Sequence, residues 1–464
     1  MATGLCPPLS ALCCSQGGKL IDTVLLSRIQ FGFTAGFHFI FPPLTIGLAW
    51  FIFGMMTHYR KTDSDSDRDM VRFWIRMLAT TFVVGTATGI AMEFQFGTNW
   101  AGYSRFVGDI FGAPLAIESV VAFFLESTFI AVLVLGWDRV SQKMLWFASM
   151  MVAVGSTISA FWILVANSWQ QTPAGYTITS GHARLTSLTQ AVFTDSMWPR
   201  FFHTLDGALA TASFFVMGIS AAYLLRNKNT SFAKSCLAAG VVIAFITSLG
   251  QLATGHVHAR QVARTQKAKL AAIEGLYDTQ RRAPMIIVGI PVPGKENTLS
   301  LVEIPKLLSY MAYGNTNAKV KGLRDFPEDQ RPPVLPTFIS FHVMVGIGGA
   351  MIGLSLSGLY LLWRKQIYRH KWFLRAAVIA IPLPFIANEV GWVTAEMGRQ
   401  PWVVYGVMRT NEAASTNVPA GQTLFSMLMF IVVYAFLFLA WLYMLRREYL
   451  YHLGQSKVRQ EVKA

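Results

Sequence analysis

The sequence predicts an all-α integral membrane protein: nine transmembrane helices in a helical bundle, with one long outer loop. Three observations predict it. Of 464 residues, 53% are hydrophobic and only 14% are charged, against about 25% charged in a typical soluble domain. The apolar residues gather in runs long enough to cross about 30 Å of hydrocarbon, which takes roughly 20 residues as helix. The Lys and Arg residues between the runs divide unevenly between the two faces that nine crossings create. The composition excludes a disordered chain, a collagen-like chain and an ordinary cytosolic enzyme.

Residues 1–22 read as an N-terminal extension. They lack the basic start of a signal peptide, and the apolar stretch that follows is too long for one. Cys6, Cys13 and Cys14 lie here and Cys236 lies in an apolar run. No CxxC, CxxCH or Cys/His zinc spacing results, so neither a disulfide framework nor covalently attached haem is expected. The spans fall near 24–56, 74–96, 111–136, 144–168, 201–225, 235–253, 337–363, 373–396 and 423–445. Pro42-Pro43 predicts a kink in the first. Six spans thus occupy 23–253 and three occupy 337–446. Residues 447–464 form a tail. The other connections read as short, but residues 254–336 form a polar loop rich in charge and Pro, and loops that long are often functional.

Nine spans put the termini on opposite sides. In the short loops nineteen Lys and Arg fall on the face of the C-terminus, among them Arg60, Arg139, Arg226, Arg364 and Arg446. Six fall on the other face: Lys19, Arg105, Arg184, Arg200, Arg399 and Arg409. Positive charge stays inside, so the C-terminus is expected in the cytoplasm, with the N-terminus and long loop outside. Much of the net charge of +15 is this topology signal. A nucleic-acid partner would want a basic folded domain or tail, and there is none.

Ionisable groups at membrane depth mark pathways or cofactors. Arg28 and His38 lie on the first span, Glu93 on the second, Glu118 and Glu126 on the third, His203 on the fifth, and Glu389 and Glu396 on the eighth. Glu389 and Glu396, seven apart, share one helix face to within about 20°. Glu118 and Glu126, eight apart, are about 80° round and about 12 Å along the axis. Of nine histidines, His38 and His203 lie clearly within helical spans, and His342 lies at the outer end of the seventh. Neutral imidazole suits iron, but a lone buried His is as readily a packed one, and Met344 alone reads as packing. The carboxylates alone fit a proton relay in a transporter equally well.

The longer motifs separate these readings. Ser27-Arg28-Ile29-Gln30-Phe31 with Phe37-His38-Phe39 is followed by Met92-Glu93-Phe94-Gln95-Phe96-Gly97-Thr98-Asn99-Trp100. Next come Gly108-Asp109-Ile110-Phe111-Gly112-Ala113-Pro114-Leu115-Ala116-Ile117-Glu118 and Phe124-Leu125-Glu126. Gly391-Trp392-Val393-Thr394-Ala395-Glu396-Met397-Gly398-Arg399-Gln400-Pro401-Trp402 matches a GWxxxExGRQPW signature. In these motifs, over residues 23–446, the chain resembles subunit I of the cytochrome bd quinol oxidases.

The resemblance implies three haems: a low-spin haem b, a high-spin haem b and usually haem d. His203 and Met344 stand where the family ligates the low-spin haem iron, a pair that raises its potential. His38 and Glu118 match residues that line or ligate one haem of the oxygen-reducing pair, and Glu396 matches the iron ligand of the other. Arg399 and Trp392 would orient haem or its propionates. Glu126 matches a carboxylate on the cytoplasmic proton route. His342 stands where the family often has Arg. Gln266-Lys267-Ala268-Lys269-Leu270-Ala271-Ala272-Ile273-Glu274 is similar to the core of the quinol loop, with Lys269 and Glu274 at the quinol-contacting positions. Glu can accept a quinol proton and Lys can donate to the quinone oxygen. On the residues alone such a pair reads as solvated surface, and five apart on a helix they would lie about 140° apart. The loop resembles the short-loop class, which includes cyanide-insensitive oxidases in which haem b can replace haem d.

The implied function is an electrogenic, non-pumping terminal quinol oxidase of aerobic respiration in a bacterial inner membrane. Ubiquinol or another membrane quinol is oxidised at the periplasmic face, and dioxygen is reduced to water with cytoplasmic protons. A second subunit (subunit II) is the implied partner, with a small single-span subunit beside it, and no nucleic acid. The rivals are a proton-coupled secondary transporter and a haem-bearing membrane anchor that does not reduce oxygen.

Overall fold

The computed structural model describes residues 22–227 and 230–461. The three leader cysteines lie outside the described residues, as do Lys19, Lys228 and Lys463 from the charge count. Among the described residues nine helices are long and apolar enough to cross a membrane: Thr23–Thr62, Asp65–Thr98, Ala101–Leu135, Gln142–Gln171, Met197–Leu225, Ser231–Thr265, Val334–Trp363, Lys371–Met397 and Ala420–Gly454. Lipid offers no partner to a backbone N–H or C=O, so an apolar crossing segment satisfies its own as helix. Side chains finish some of the ends. Ser64 Oγ accepts from the Asp67 N–H and Ser141 Oγ from the Met144 N–H, capping the second and fourth spans.

Three spans are broken, each beside a proline. The first consists of Thr23–Phe39 and Phe41–Thr62. Pro42 and Pro43 have no N–H for the carbonyls of His38 and Phe39 one turn back, so the helix breaks at Ile40, just beyond His38. The eighth consists of Lys371–Ile379 and Leu383–Met397, around Pro382. In the third, Pro114 lies inside the helix, and a π-helical turn, Glu118–Phe123, follows before the α-helix resumes at Phe124. Such turns are wider and occur often at functional sites.

The sixth span runs beyond the apolar stretch that reveals it, on to Thr265. His256 and His258 therefore ride on a helix and join His38 and His203 within the bundle, a correction to the sequence reading. Two connections read as short carry structure. Tyr176–Thr179 pairs with His182–Leu185, and Trp402–Val404 with Met408–Arg409. The long loop is folded too. Helix Lys267–Glu274 ends at Gly275, whose φ of +61° closes it. An antiparallel hairpin, Met285–Val292 with Asn297–Ile304, and a helix, Leu307–Tyr313, follow.

The main apolar core lies where the second, fifth and sixth spans and the first span's second helix meet, with Phe41, Trp74, Phe214 and Tyr223 fully buried. Close approach there depends on small residues. A Cβ on Gly47 would stand 2.3 Å from the Ala208 carbonyl oxygen, so the first and fifth spans touch backbone to backbone.

Candidate functional site

One cavity of about 1780 Å³ runs through the bundle toward the long loop. It exceeds the roughly 300–1,000 Å³ of a pocket for one small ligand. Its wall includes all ten residues to which the resemblance gives a site role, but not Glu389 or His342. His38, Glu118 and Glu126 line it from the first and third spans, and His203 and Met344 from the fifth and seventh. Trp392, Glu396 and Arg399 contribute from the signature segment, and Lys269 and Glu274 from the loop helix.

The two histidines are held alike. His38 Nδ1 lies 3.1 Å from Thr88 Oγ1, whose own proton goes to the carbonyls of Val84 and Gly85. The hydroxyl therefore accepts, and Nδ1 carries the hydrogen. His203 Nδ1 lies 3.0 Å from Thr254 Oγ1, whose proton goes to the Gly250 carbonyl at 2.8 Å. In both rings Nε2 keeps its lone pair, the arrangement a metal-binding imidazole needs.

His38, His203 and Met344 each also face a glycine. A Cβ on Gly89 would meet the His38 ring at 3.0 Å, one on Gly255 the His203 ring at 3.2 Å, and one on Gly391 the Met344 sulfur at 2.9 Å. Larger residues at these places would push the ligand aside. His342 is held apart from these ligands. Its ring nitrogens lie 2.9 Å from the carbonyl oxygens of Phe338 and Ile286. It ties the hairpin to the seventh span and does not line the cavity.

Glu396 is buried among cations. Its Oε1 accepts from Asn167 Nδ2 at 3.0 Å, and its Oε2 from the Arg399 guanidinium. Arg200 and Lys269 are within electrostatic reach. Gln171, at the end of the fourth span, joins this group to the loop. Its Oε1 accepts from Lys269 Nζ at 2.5 Å, and its Nε2 donates to Glu396 at 3.4 Å.

Lys269 and Glu274 are not solvated surface: they are 2% and 4% exposed. Residues 268–274 are all buried, so helix faces about 140° apart both meet protein. Burial, with the Arg200 charge adding to it, pushes the Lys269 ammonium well below the ordinary lysine range. Burial pushes the Glu274 carboxyl up to about 8.

Farther along the cavity, Glu118 Oε1 accepts from Ser159 Oγ at 2.7 Å. Glu93 and Glu126 are both within electrostatic reach of Glu118. The π turn rotates the chain less per residue than an α-helix does. That brings Glu118 and Glu126 nearer one face than the 80° of an unbroken helix, and both line the cavity.

Several contributors escaped the sequence reading. Arg200 counted there as a loop charge, yet it is 6% exposed and lines the cavity. His258, Thr88, Thr254, Asn167 and Gln171 carried no local signal, because each matters only through a partner on another helix.

Buried polar atoms are paired in the great majority of cases. Around this cavity seven are not: Trp100 Nε1, Arg200 Nε, Ser248 Oγ, His256 Nδ1, His258 Nε2, Glu274 Oε2 and Arg399 Nε. Two of these orphans are guanidinium donors, which fits a bound group with anionic arms. No cluster of three or more His, Cys, Asp or Glu closes around one point among the described residues. A metal held by His203, Met344, His38 or Glu396 would draw its other ligands from a non-protein frame, as haem iron does.

Comparison with known proteins agrees. The family model described as "Cytochrome bd terminal oxidase subunit I" matches residues 26–452. The chain is 40% identical over 427 residues to "Cytochrome bd ubiquinol oxidase subunit 1" of Bacillus subtilis, covering 90% of this chain and 91% of that protein. It is 35% identical over 508 aligned positions to "Cytochrome bd-II ubiquinol oxidase subunit 1" of Escherichia coli, covering 95% and 98%. Its fold matches a bd oxidase structure from Geobacillus thermodenitrificans with a TM-score of 0.86 at 31% identity, covering 92% of this chain and 98% of that one. Motifs and fold converge, and the chain belongs to the cytochrome bd terminal oxidase subunit I family.

Proposed function

We propose that this subunit oxidises a membrane quinol at the loop end of the cavity and reduces dioxygen to water deeper within it. The single observation that carries the reading is the cavity itself. It brings a buried Lys/Glu pair, two imidazoles with free Nε2, a thioether and four further carboxylates, Glu93, Glu118, Glu126 and Glu396, around one space. A transporter needs neither the thioether nor the free imidazole nitrogens.

His203 and Met344 would hold one haem, low-spin haem b. His38 with Glu118, and Glu396, would hold high-spin haem b and either haem d or haem b in its place. Haem iron supplies the electron transfer and oxygen chemistry when bound. The protein's part is position and protons. The orphaned Arg200 and Arg399 donors are placed for propionates, and Trp392 lines the same wall. Glu274, with its raised proton affinity, takes a proton from the quinol hydroxyl once it is deprotonated. Lys269, tied to Gln171, orients the other quinol oxygen. Glu126 holds a proton for the oxygen site and passes it along the wall toward Glu118.

In this reading the N-terminus and the loop of residues 254–336 face the periplasm and the C-terminus faces the cytoplasm. Quinol protons leave on one side and oxygen-site protons enter from the other, so charge separates without a pump. The electron donor is ubiquinol or a related membrane quinol. A second subunit and a small single-span subunit complete the enzyme. A reduced-minus-oxidised spectrum of the purified protein, with and without carbon monoxide, tests this. Haem with a carbon monoxide shift is expected. Absence of haem means a transporter, and haem without the shift means an electron-passing anchor.

A further inference from the structure

Helix Lys267–Glu274 lines the loop end of the main cavity, and residues 268–274 are all buried. In the quinol-oxidase reading, on which this inference rests, each quinol oxidised there leaves two electrons and two protons. The protons need a route past this helix to water.

A second cavity, of about 490 Å³, lies where the fourth span ends, the fifth begins and the sixth ends. These ends share the side of the bundle from which the long loop leaves. The lining is mostly polar: Thr172, Gln190, Thr194, Asp195, Thr265 and Tyr405 all offer hydrogen-bonding groups. Gln190, Phe193 and Asp195 are exposed, so the cavity meets solvent. Deeper in, Thr194 is 5% exposed, and its Oγ1 has no partner among the described residues. A buried hydroxyl in a roomy polar space is where ordered water binds, at about 30 Å³ per molecule.

One residue separates the two cavities. Gln170 lines the main cavity and Gln171 the second. Gln171 does not line the main cavity, yet its Oε1 accepts from Lys269 Nζ at 2.5 Å and its Nε2 donates to Glu396 at 3.4 Å, and both of those residues do. The carbonyls of Gln170 and Gln171 stand at a helix end, where no further turn supplies an N–H. They accept instead from the Tyr405 N–H and from Gln266 Nε2, each at 2.9 Å. The backbone of the partition is therefore pinned, and the Gln171 side chain is its movable part.

We propose that the second cavity is a water-filled outlet for quinol protons, and that the Gln171 amide is the partition through which they leave. Glu274 takes one of the two protons. Lys269 takes the other from the quinol oxygen it faces, as the two electrons pass to the haem held at His203 and Met344; the O–H bond breaks and an N–H bond forms. With the amide turned aside, that N–H meets the water of the second cavity and gives its proton to it, with the Asp195 carboxylate at the mouth as the next acceptor. Burial holds the Lys269 ammonium well below the ordinary lysine range, so it yields the proton readily.

The test uses the purified complex with Cys6, Cys13 and Cys14 replaced by Ser; Cys236 is buried. Thr194→Cys puts a thiol inside the second cavity, and Gln190→Cys puts one at its rim and serves if the first does not assemble. A charged methanethiosulfonate reagent should react with the thiol and fill the cavity. The labelled enzyme should lose about a hundredfold in kcat for quinol, the low end of what positioned proton transfer contributes, with KM unchanged. Quinol should then reduce the low-spin haem slowly. Dithionite, which supplies electrons and leaves no quinol protons behind, should reduce it at the unlabelled rate. Removing the label with a small thiol should restore turnover, which separates plugging from misfolding. A thiol that does not react, or a labelled enzyme with its full kcat, overturns the proposal. So does a raised KM, which would make the second cavity part of the quinol site, or slowed reduction by dithionite, which would mean that the label disturbs the haem. An unlabelled enzyme whose haem is not reduced by quinol fails the quinol-oxidase reading itself, and this proposal with it.

Discussion

Thr254→Val isolates the tie that orients His203. The hydroxyl accepts from His203 Nδ1 at 3.0 Å while donating to the Gly250 carbonyl. Valine keeps the β-branched shape and removes the acceptor. The Nδ1 hydrogen then faces no partner in a buried site, at a cost of about 1–3 kcal/mol. That corresponds to roughly five- to 150-fold in an equilibrium constant. Loss of an outer partner of a metal-bound histidine typically costs about 10–100-fold in affinity, so two independent routes give the same range. Haem per protein and the reduced-minus-oxidised spectrum are measured during a challenge with apomyoglobin as haem acceptor. Thr254→Val should lose the low-spin signal tens of times more readily than wild type, and Thr254→Ser should hold it. Retention by Thr254→Val at wild-type levels would refute the reasoning. So would loss from both variants, since serine still offers the acceptor.

Gly391→Ala should displace Met344, because the new Cβ would stand 2.9 Å from its sulfur; a shifted low-spin band with protein yield preserved is expected, and Met344→Leu should abolish that band. Glu274→Gln should leave haem content normal, lower quinol turnover and remove a rise in turnover with pH centred near 8, where burial places this carboxyl. The same group bears on stability: its proton affinity is raised by folding, so its contribution is complete below about pH 4 and is lost as pH rises through about 8. At pH 9 the Gln variant should therefore unfold at a higher temperature than wild type, and an equal or lower midpoint would count against the assignment. Ser159→Ala removes the donor to Glu118 and should slow oxygen reduction while leaving the KM for quinol unchanged; a raised KM would place Glu118 at the wrong end of the cavity.

Sequence and structure divide this protein along a physical line. The spans, the break after His38 and the family were legible in the chain, because bilayer thickness, proline chemistry and long motifs act locally. The residues proposed for the site were named there too, through the resemblance. The neighbourhoods were not legible. Nothing along the chain tells that Thr88 and Thr254 hold the two imidazoles, since those pairs are 50 and 51 residues apart. Nothing tells that Arg200 faces inward, because a charge at a helix end reads the same whether it meets water or a cavity. Lys269 and Glu274 show the limit most sharply. By periodicity they occupy different faces of a short polar helix. Only the packing of Gln171, the Glu396 segment and the seventh span around that helix buries both, and burial is what raises the carboxyl and lowers the ammonium. Sequence by itself determined which groups cross the membrane; tertiary structure decided which of them share one desolvated space, because desolvation depends on everything that surrounds a group and not on its neighbours in the chain.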